Sequence, residues 1–170
     1  MSNNNIHIRF AKREDLEAIV NIYNQAIAAG QKTADTEYVR VNDRLSWFEE
    51  HSQAKYPLLV AEQNGRLIGY LTLSAYRPGR LALRHTAEVS YYVDFEHHHK
   101  GVASLLLQYA IDMCPSIGIK SIFAILIDNN VPSITLLEKF HFKKWGHLPC
   151  IADFDGVELG QYYYGLRVTK

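Results

Sequence analysis

The feature that most constrains the fold of this chain is a strand that passes through a basic loop straight into a helix. The segment from Thr86 to Val93 predicts a strand, and apolar residues at helical spacing predict a helix from Gly101 to Cys114. Free backbone N–H groups at such a helix start, with the positive end of the helix dipole, attract phosphate groups. The arrangement therefore predicts an anion site, in which Gly101 lets the ligand approach the main chain.

Strand and helix patterns alternate along the rest of the chain. Further strands are predicted over Ile6 to Phe10, Leu58 to Gln63, Leu67 to Ser74, Ile122 to Ile127, Phe142 to Leu148 and Gln161 to Val168. Further helices are predicted from Glu14 to Gly30, around Leu45 to Phe48, and from Pro132 to Phe140. The pair Asn64-Gly65 predicts a tight hairpin turn, because both residues tolerate a positive φ. The continuous apolar run 122–127 predicts a central strand that is covered on both faces.

Composition narrows the class of protein. The 170 residues, 48% apolar and 21% charged, suit one soluble globular domain over residues 1–170. Lysine plus arginine equals aspartate plus glutamate at 18 each, so no overall field draws the chain to nucleic acid or to an anionic membrane. The start Met1–Asn5 lacks the order of a signal peptide, and no apolar run could span a bilayer, so we expect a cytoplasmic protein. We expect Cys114 and Cys150 to be reduced packing thiols.

Several motifs in register carry a resemblance to a known superfamily. His98-x-x-Gly101-x-Ala103 is similar to the Q/R-x-x-G-x-G/A diphosphate motif of GNAT acyltransferases, although a glycine at a helix start is weak support by itself. Asn130 to Ile134 looks like the family's N-x-x-S-I, and Leu136 to Phe142 resembles its L-H/Y-E-K-x-G-F ending. Thr86 to Val93 is similar to the T-V-E-x-S-V-Y-V strand of the phosphinothricin and amino-acid N-acetyltransferase branch, and Ile22-Tyr23-Asn24 matches the first helix of that branch.

The resemblance implies a fold and a cosubstrate. The fold would be α/β (α+β): a twisted mixed sheet flanked by helices and splayed between its fourth and fifth strands, with acetyl-CoA in the wedge. Strand residues 91–93 would bond to the pantetheine arm, and the segment 98–104 would hold the diphosphate. The implied cofactor-binding residues are Tyr91, Tyr92, Val93, His98, His99, Lys100, Gly101, Val102, Ala103, Ser104 and Asn130. A homodimer is implied by the resemblance alone.

Glu88 is the candidate catalytic residue. It is an acid within an apolar and aromatic strand, and it matches the acidic residue to which the branch assigns general-base chemistry. An alkylammonium must lose a proton before it can attack a thioester, and a partly desolvated carboxylate can accept that proton. The resemblance thus implies direct acetyl transfer to the primary amine of a small molecule, such as an amino acid or an amino-acid analogue. Glu88 would also contact this substrate.

The loop 76–84 is rich in arginine and broken by Pro78-Gly79. Arg80 and Arg84, with Arg77, are candidates to bind a substrate carboxylate through paired N–H donors. The alternative is an ordinary solvated loop.

Three positions depart from the family pattern. His98 replaces Gln or Arg, so its contact with phosphate would require a protonated imidazole. Leu137 replaces His or Tyr, which leaves the departing CoA thiolate without an assigned general acid. His141 replaces a common Gly, and the basic and glycine-rich run that relatives carry before their last strand is absent around Ile151 to Gly156.

Other interpretations remain open. The run His97-His98-His99 suggests a metal site, but adjacent histidines seldom converge on one ion, so we expect no metal. Tyr162-Tyr163-Tyr164 is more typical of a strand with alternating faces than of a catalytic tyrosine. The alternative functions are acetylation of peptide or protein N-termini and noncatalytic binding of acyl-CoA.

Overall fold

The computed structural model describes residues 5–169, so most of the polar N-terminal start lies outside the described residues. The strands are β1 (His7–Phe10), β2 (Leu58–Gln63), β3 (Arg66–Ala75), β4 (Thr86–Val93), β5 (Ser121–Ile127), β6 (Lys143–Phe154) and β7 (Val157–Arg167). The α-helices are α1 (Leu16–Ala28), α2 (Leu45–Glu49), α3 (Val102–Met113) and α4 (Val131–Lys139). None of the helices within residues 5–169 is long and apolar enough to cross a bilayer.

All seven strands form one sheet in the order β1-β2-β3-β4-β5-β7-β6. Neighbouring strands are antiparallel except β4 and β5, which are parallel. This pair is short, because only Thr86 to Glu88 of β4 face Ser121 to Phe123 of β5. Beyond Glu88 the two strands diverge, with β4 paired only to β3 and β5 paired only to β7. The mixed sheet and its splay between the fourth and fifth strands are thereby confirmed.

Helices cover both faces of the first half of the sheet. Leu106 and Leu107 of α3 pack with Leu59 of β2 in one fully buried cluster. The next strand residue, Val60, points to the opposite face and packs with Ile19 of α1, because side chains alternate along a strand. Burying each such leucine or isoleucine contributes roughly 1.5–3 kcal/mol relative to its exposure. Val89 of β4 belongs to the first cluster and Tyr92 packs against the second, so both clusters hold in place the strand that borders the splay.

The last two strands are longer than the sequence pattern predicted. The strand predicted to end at Leu148 continues to Phe154, and the strand predicted to begin at Gln161 begins at Val157. They meet at Asp155 and Gly156, whose φ values of 52° and 89° are those of a tight hairpin turn. Asp-Gly is the signal that could have revealed this hairpin. The segment 151–156 is therefore the end of β6 and the turn that follows it.

Candidate functional site

A cleft of about 670 Å³ opens where β4 and β5 diverge. Its walls are the separated strand edges, the start of α3 and the first turn of α4. Of the residues that the sequence assigned to a cofactor, the lining contains Tyr91, Tyr92, Val93, His98, His99, Gly101, Val102, Ala103, Ser104 and Asn130. Residues 32–34, between α1 and α2, also line the cleft and were missed, because no strand or helix pattern connects them to the motif. The splay thus gathers segments that lie far apart in the sequence.

The N-terminus of α3 forms one end of this cleft. Gly101 precedes the helix with φ at +81°, a left-handed conformation that glycine adopts most readily. The first helical bond runs from the N–H of Leu105 to the carbonyl of Gly101 at 3.0 Å. The N–H groups of Val102, Ala103 and Ser104 therefore have no carbonyl acceptor within the helix. Together with the helix dipole they can bind an anion.

The side chains of the basic loop are engaged with the protein. The Nε2 atom of His98 donates to the carbonyl of Val93 at 2.9 Å, and its ring packs edge-on against Phe95. Only Nδ1 of that imidazole remains for a ligand. Lys100 does not line the cleft, and its Nζ atom donates to the carbonyl of Glu96 at 2.7 Å. The structure therefore places the charge of Lys100 away from the position predicted for it.

Asp94 anchors the same loop. Its buried carboxylate accepts from Gln25 Nε2 and Arg66 at 3.2 Å each and from the N–H of Glu96 at 3.0 Å. Burial alone would raise the pKa of Asp94, but these bonds and His97 lower it. Within residues 5–169, Asp94, Glu96 and His97 form the one group of three side chains spaced to hold a metal, and Arg66 already bridges its two carboxylates. His98 and His99 do not join it.

Glu88 lies at the apex of the splay, as the last β4 residue that pairs with β5. It lines the cleft and also a second cavity of about 220 Å³ on the α1 side of the sheet. Burial raises the pKa of its carboxyl, so Glu88 is a better proton acceptor than an exposed glutamate. Its position allows contact with ligands in both cavities.

The second cavity follows β3 and β4 in three rows of opposed side chains. Ser74 faces Glu88, Thr72 faces Ser90, and Tyr70 faces Tyr92. Its remaining walls come from α1, α2 and the segment between them, namely Ile19, Val20, Tyr23, Val39, Arg44 and Trp47. The sequence did not identify this wall, because the pattern around Leu45 to Phe48 predicted a helix and no site.

The arginines predicted to bind substrate lie elsewhere. Arg80 and Arg84 are exposed and line neither cavity, and Arg84 Nη1 donates to the carbonyl of Leu81 at 2.9 Å. Their loop precedes β4 at the end where that strand is still paired with β5. Arg44, which was not predicted, lines the second cavity instead.

No side chain at position 137 reaches the cleft. Leu137 belongs to α4, and its side chain is fully buried in the core. The lining does contain a pair of hydroxyls, those of Tyr91 and Ser133, whose oxygens are 2.6 Å apart. Burial raises the pKa of Tyr91 to about 12, so its phenol stays neutral and can donate a hydrogen bond. The hydroxyl of Tyr164 is also engaged within the protein, because it donates a hydrogen bond to Glu138 at 3.2 Å.

Comparison with known proteins connects this geometry to a family. The model of the Acetyltransferase (GNAT) family matches residues 16–142. The Bacillus subtilis protein YwnH is 45% identical over 150 residues, which is 88% of this chain and 91% of its own. The L-amino acid N-acyltransferase MnaT of Escherichia coli is 32% identical over 163 residues, 96% of this chain and 94% of its own.

Solved structures share the whole fold. One is the crystal structure of a GNAT superfamily phosphinothricin acetyltransferase, Pat, of Sinorhizobium meliloti in complex with acetyl-CoA. It superposes with a TM-score of 0.90 at 25% identity and covers 96% of this chain and 89% of its own.

Proposed function

Because the chain belongs to the GNAT acetyltransferase family, we propose that it transfers the acetyl group of acetyl-CoA directly to the primary amine of a small molecule. The acceptor is an amino acid or an amino-acid analogue, as the names of the E. coli relative and of the Sinorhizobium enzyme suggest. The single observation that carries this proposal is the place of Glu88, between the cleft of the splayed sheet and a second, smaller cavity.

The cleft supports the binding of acetyl-CoA through its backbone. Beyond Glu88, the β4 edge that faces β5 has no strand partner, so its N–H and C=O groups require other partners. The amides of a pantetheine arm can pair with this edge at Tyr91 to Val93, where the carbonyl of Val93 already accepts from His98 Nε2. The diphosphate then reaches the N–H groups of Val102, Ala103 and Ser104 at the start of α3. A main-chain N–H near Tyr91 would polarise the thioester carbonyl, where negative charge develops in the tetrahedral intermediate.

Glu88 acts as the general base. It takes a proton from the acceptor ammonium, directly or through one water, and the free amine attacks the thioester carbonyl. The C–N bond forms, the C–S bond breaks, CoA leaves as a thiolate, and the nitrogen releases its second proton to solvent to give the neutral amide. Neither cysteine lines the cleft, and burial raises the pKa of the Cys114 thiol to about 12, so these side chains favour direct transfer over an acyl-enzyme.

The leaving thiolate needs little help from the protein. A thiol has an ordinary pKa of about 8.5, so near neutral pH a thiolate is a stable leaving group that can take its proton from solvent. This agrees with the position of Leu137 in the core. The hydroxyl pair Tyr91 and Ser133 provides hydrogen bonding at the cleft wall without changing charge.

We further propose that residues 1–170 act as one domain, that the chain forms a homodimer, and that it works in the cytoplasm. Two free thiols, Cys114 and Cys150, suit a reducing compartment. The β6–β7 hairpin exposes Trp145, Ile151 and Val157 at 54%, 52% and 50%, an apolar surface that association would cover. Light scattering after size exclusion measures the mass, and a monomeric mass at micromolar concentration would contradict the dimer.

An acceptor screen tests the main proposal. The protein is incubated with acetyl-CoA and single amines, with release of CoA thiol and the mass of each amine as readouts. We expect a mass increase of one acetyl group on small amino acids, with release of CoA that depends on the acceptor. Acetylation of peptide N-termini alone would contradict the small acceptor. Tight acetyl-CoA binding without transfer to any amine would contradict enzymatic function.

A further inference from the structure

We propose that the 220 Å³ cavity is the acceptor subsite and that Arg44 binds the carboxylate of an α-amino acid with an uncharged, apolar side chain. This inference rests on the proposed function and adds to it the residue that selects the acceptor. Arg44 is distant in sequence from the motifs of the cleft, and neither the motifs nor the arginine-rich loop 76–84 pointed to it.

The charges of the cavity match the two ends of an amino acid. Among the described residues that line it, Arg44 is the one cation and Glu88 the one anion. Glu88 lies in the row it forms with Ser74, whereas Arg44 adjoins the aromatic row of Tyr70 and Tyr92. An acceptor between them directs its amine toward Glu88 and the cleft, and its carboxylate toward Arg44.

The aromatic wall holds the guanidinium in place. Its central carbon lies 4.7 Å from the ring centre of Tyr23 and 5.4 Å from that of Trp47. Such stacking orients the planar fork of an arginine while leaving its edge N–H groups able to bind a carboxylate in a bidentate manner. Within residues 5–169, Arg44 forms one ion pair, a long contact of 3.5 Å to the half-exposed Asp35. Because that contact is weak, a substrate carboxylate can compete for the remaining donors.

The walls also indicate the side chain of the acceptor. Trp47, Tyr70 and Tyr92 give one end an apolar, aromatic lining, while the hydroxyls of Thr72, Ser74 and Ser90 lie along the middle and the Glu88 end. The volume of about 220 Å³ is below the roughly 300–1,000 Å³ of pockets for drug-sized ligands. A single small amino acid fits this space better than a peptide.

The test compares L-methionine with L-methioninamide, which keeps the amine and the side chain but lacks the carboxylate. We expect the wild type to acetylate L-methionine with the higher kcat/KM. Arg44→Gln should lower kcat/KM for L-methionine by about 10- to 100-fold, because it removes a charge-assisted pair, and should leave the value for L-methioninamide within a few-fold. Arg44→Lys keeps the charge but loses the fork, so its loss should be smaller.

Controls separate this role from a structural one. Arg13→Gln removes an arginine that is 69% exposed at the side chain and should change neither substrate. The Kd for acetyl-CoA and the Tm, measured for every variant, report on folding. If Arg44→Gln and Arg44→Lys lowered kcat/KM equally for L-methionine and L-methioninamide, the proposal would be overturned. It would also be overturned if Arg84→Gln lost the preference for L-methionine over L-methioninamide. A wild type that acetylates other amines but not L-methionine would overturn this inference alone, whereas a wild type that acetylates no amine would overturn the proposed function.

Discussion

Glu88 of β4 and Phe123 of β5 form the last pair of the parallel ladder before the two strands separate. On one side of this pair the sheet is closed, and on the other it opens into the cleft of about 670 Å³. The carboxylate is thereby held where an unpaired strand edge, a helix start and a second cavity meet. Because the pairing fixes the backbone of Glu88, a base at this position needs no loop movement to reach the end of the cleft.

The first prediction concerns the protonation state of Glu88. Burial raises the pKa of its carboxyl above the ordinary 4.5, and a general base is active only when deprotonated, so kcat/KM should fall as the pH drops through this raised pKa. Glu88→Gln should lower acceptor-dependent turnover by about 100-fold or more and remove that acidic limb, with acetyl-CoA binding retained. Glu14→Gln, at a side chain that is 76% exposed, is the matched control. An unchanged rate and acidic limb in Glu88→Gln would refute its role as base.

The second prediction concerns the anion site at the start of α3. Gly101→Glu and Gly101→Gln strain the same left-handed backbone and add side chains of nearly equal size into open space. Only the glutamate adds negative charge beside the bound diphosphate, so its Kd for acetyl-CoA should be roughly 100-fold weaker than that of the glutamine variant. Isothermal titration calorimetry measures both. Equal affinities would place the diphosphate elsewhere.

The third prediction concerns stability at the end of α4. His141 occupies the left-handed region at φ 66°, where the family pattern has glycine, and bonds from Phe142 to Leu137 and from His141 to Glu138 close the helix end. Relieving a strained left-handed residue contributes roughly 1 kcal/mol. His141→Gly should therefore raise the Tm by about 2–4 °C in a domain of this size, whereas His141→Ala should not. Calorimetry showing the same Tm for both variants would argue against strain at this site.

The fourth prediction concerns His51, which packs edge-on against Trp47 of α2. Its Nδ1 atom donates a hydrogen bond to the carbonyl of Trp47 at 2.7 Å, and Nε2 lies 3.3 Å from the hydroxyl of Ser74. Burial lowers the pKa of His51 below the ordinary 6.5, so the unfolded chain binds this proton first as the pH falls. The contribution of neutral His51 to the free energy of unfolding is therefore present above pH 6.5, and it is lost as the pH drops through the lowered pKa.

Urea unfolding at a series of pH values tests this linkage. Between neutral pH and pH of about 5, the free energy of unfolding of the wild type should fall more steeply than that of His51→Gln, which has no titrating group at this position. His7→Gln, at an exposed residue of β1, is the control. Parallel pH profiles for wild type and His51→Gln would show that His51 titrates as it does in the unfolded chain.

Local patterns in the sequence predicted the anion site, and the family resemblance added Glu88 as the candidate base, but neither pointed to the wall of the second cavity. The strand, the loop and the helix from Thr86 to Cys114 are contiguous, so their order alone predicted the helix start at Gly101 and the place of Glu88 on its strand. Arg44 and Trp47 reach the same site only because the short helix α2 packs over β3, a tertiary contact that no periodicity encodes. The direction of the Lys100 side chain could not be predicted for a similar reason. Its position in the motif predicted a charge at the anion site, but its Nζ atom donates to the carbonyl of Glu96.

The most direct measurement follows isotope-labelled acetyl groups during turnover with L-amino acids, by mass spectrometry of the amines and of the intact protein. Direct transfer at Glu88 predicts one labelled N-acetyl amine for each CoA thiol released and no labelled protein at any time. Labelled acetate in place of labelled amine, or a labelled protein that forms and decays at the rate of turnover, would contradict acetyl transfer by direct attack.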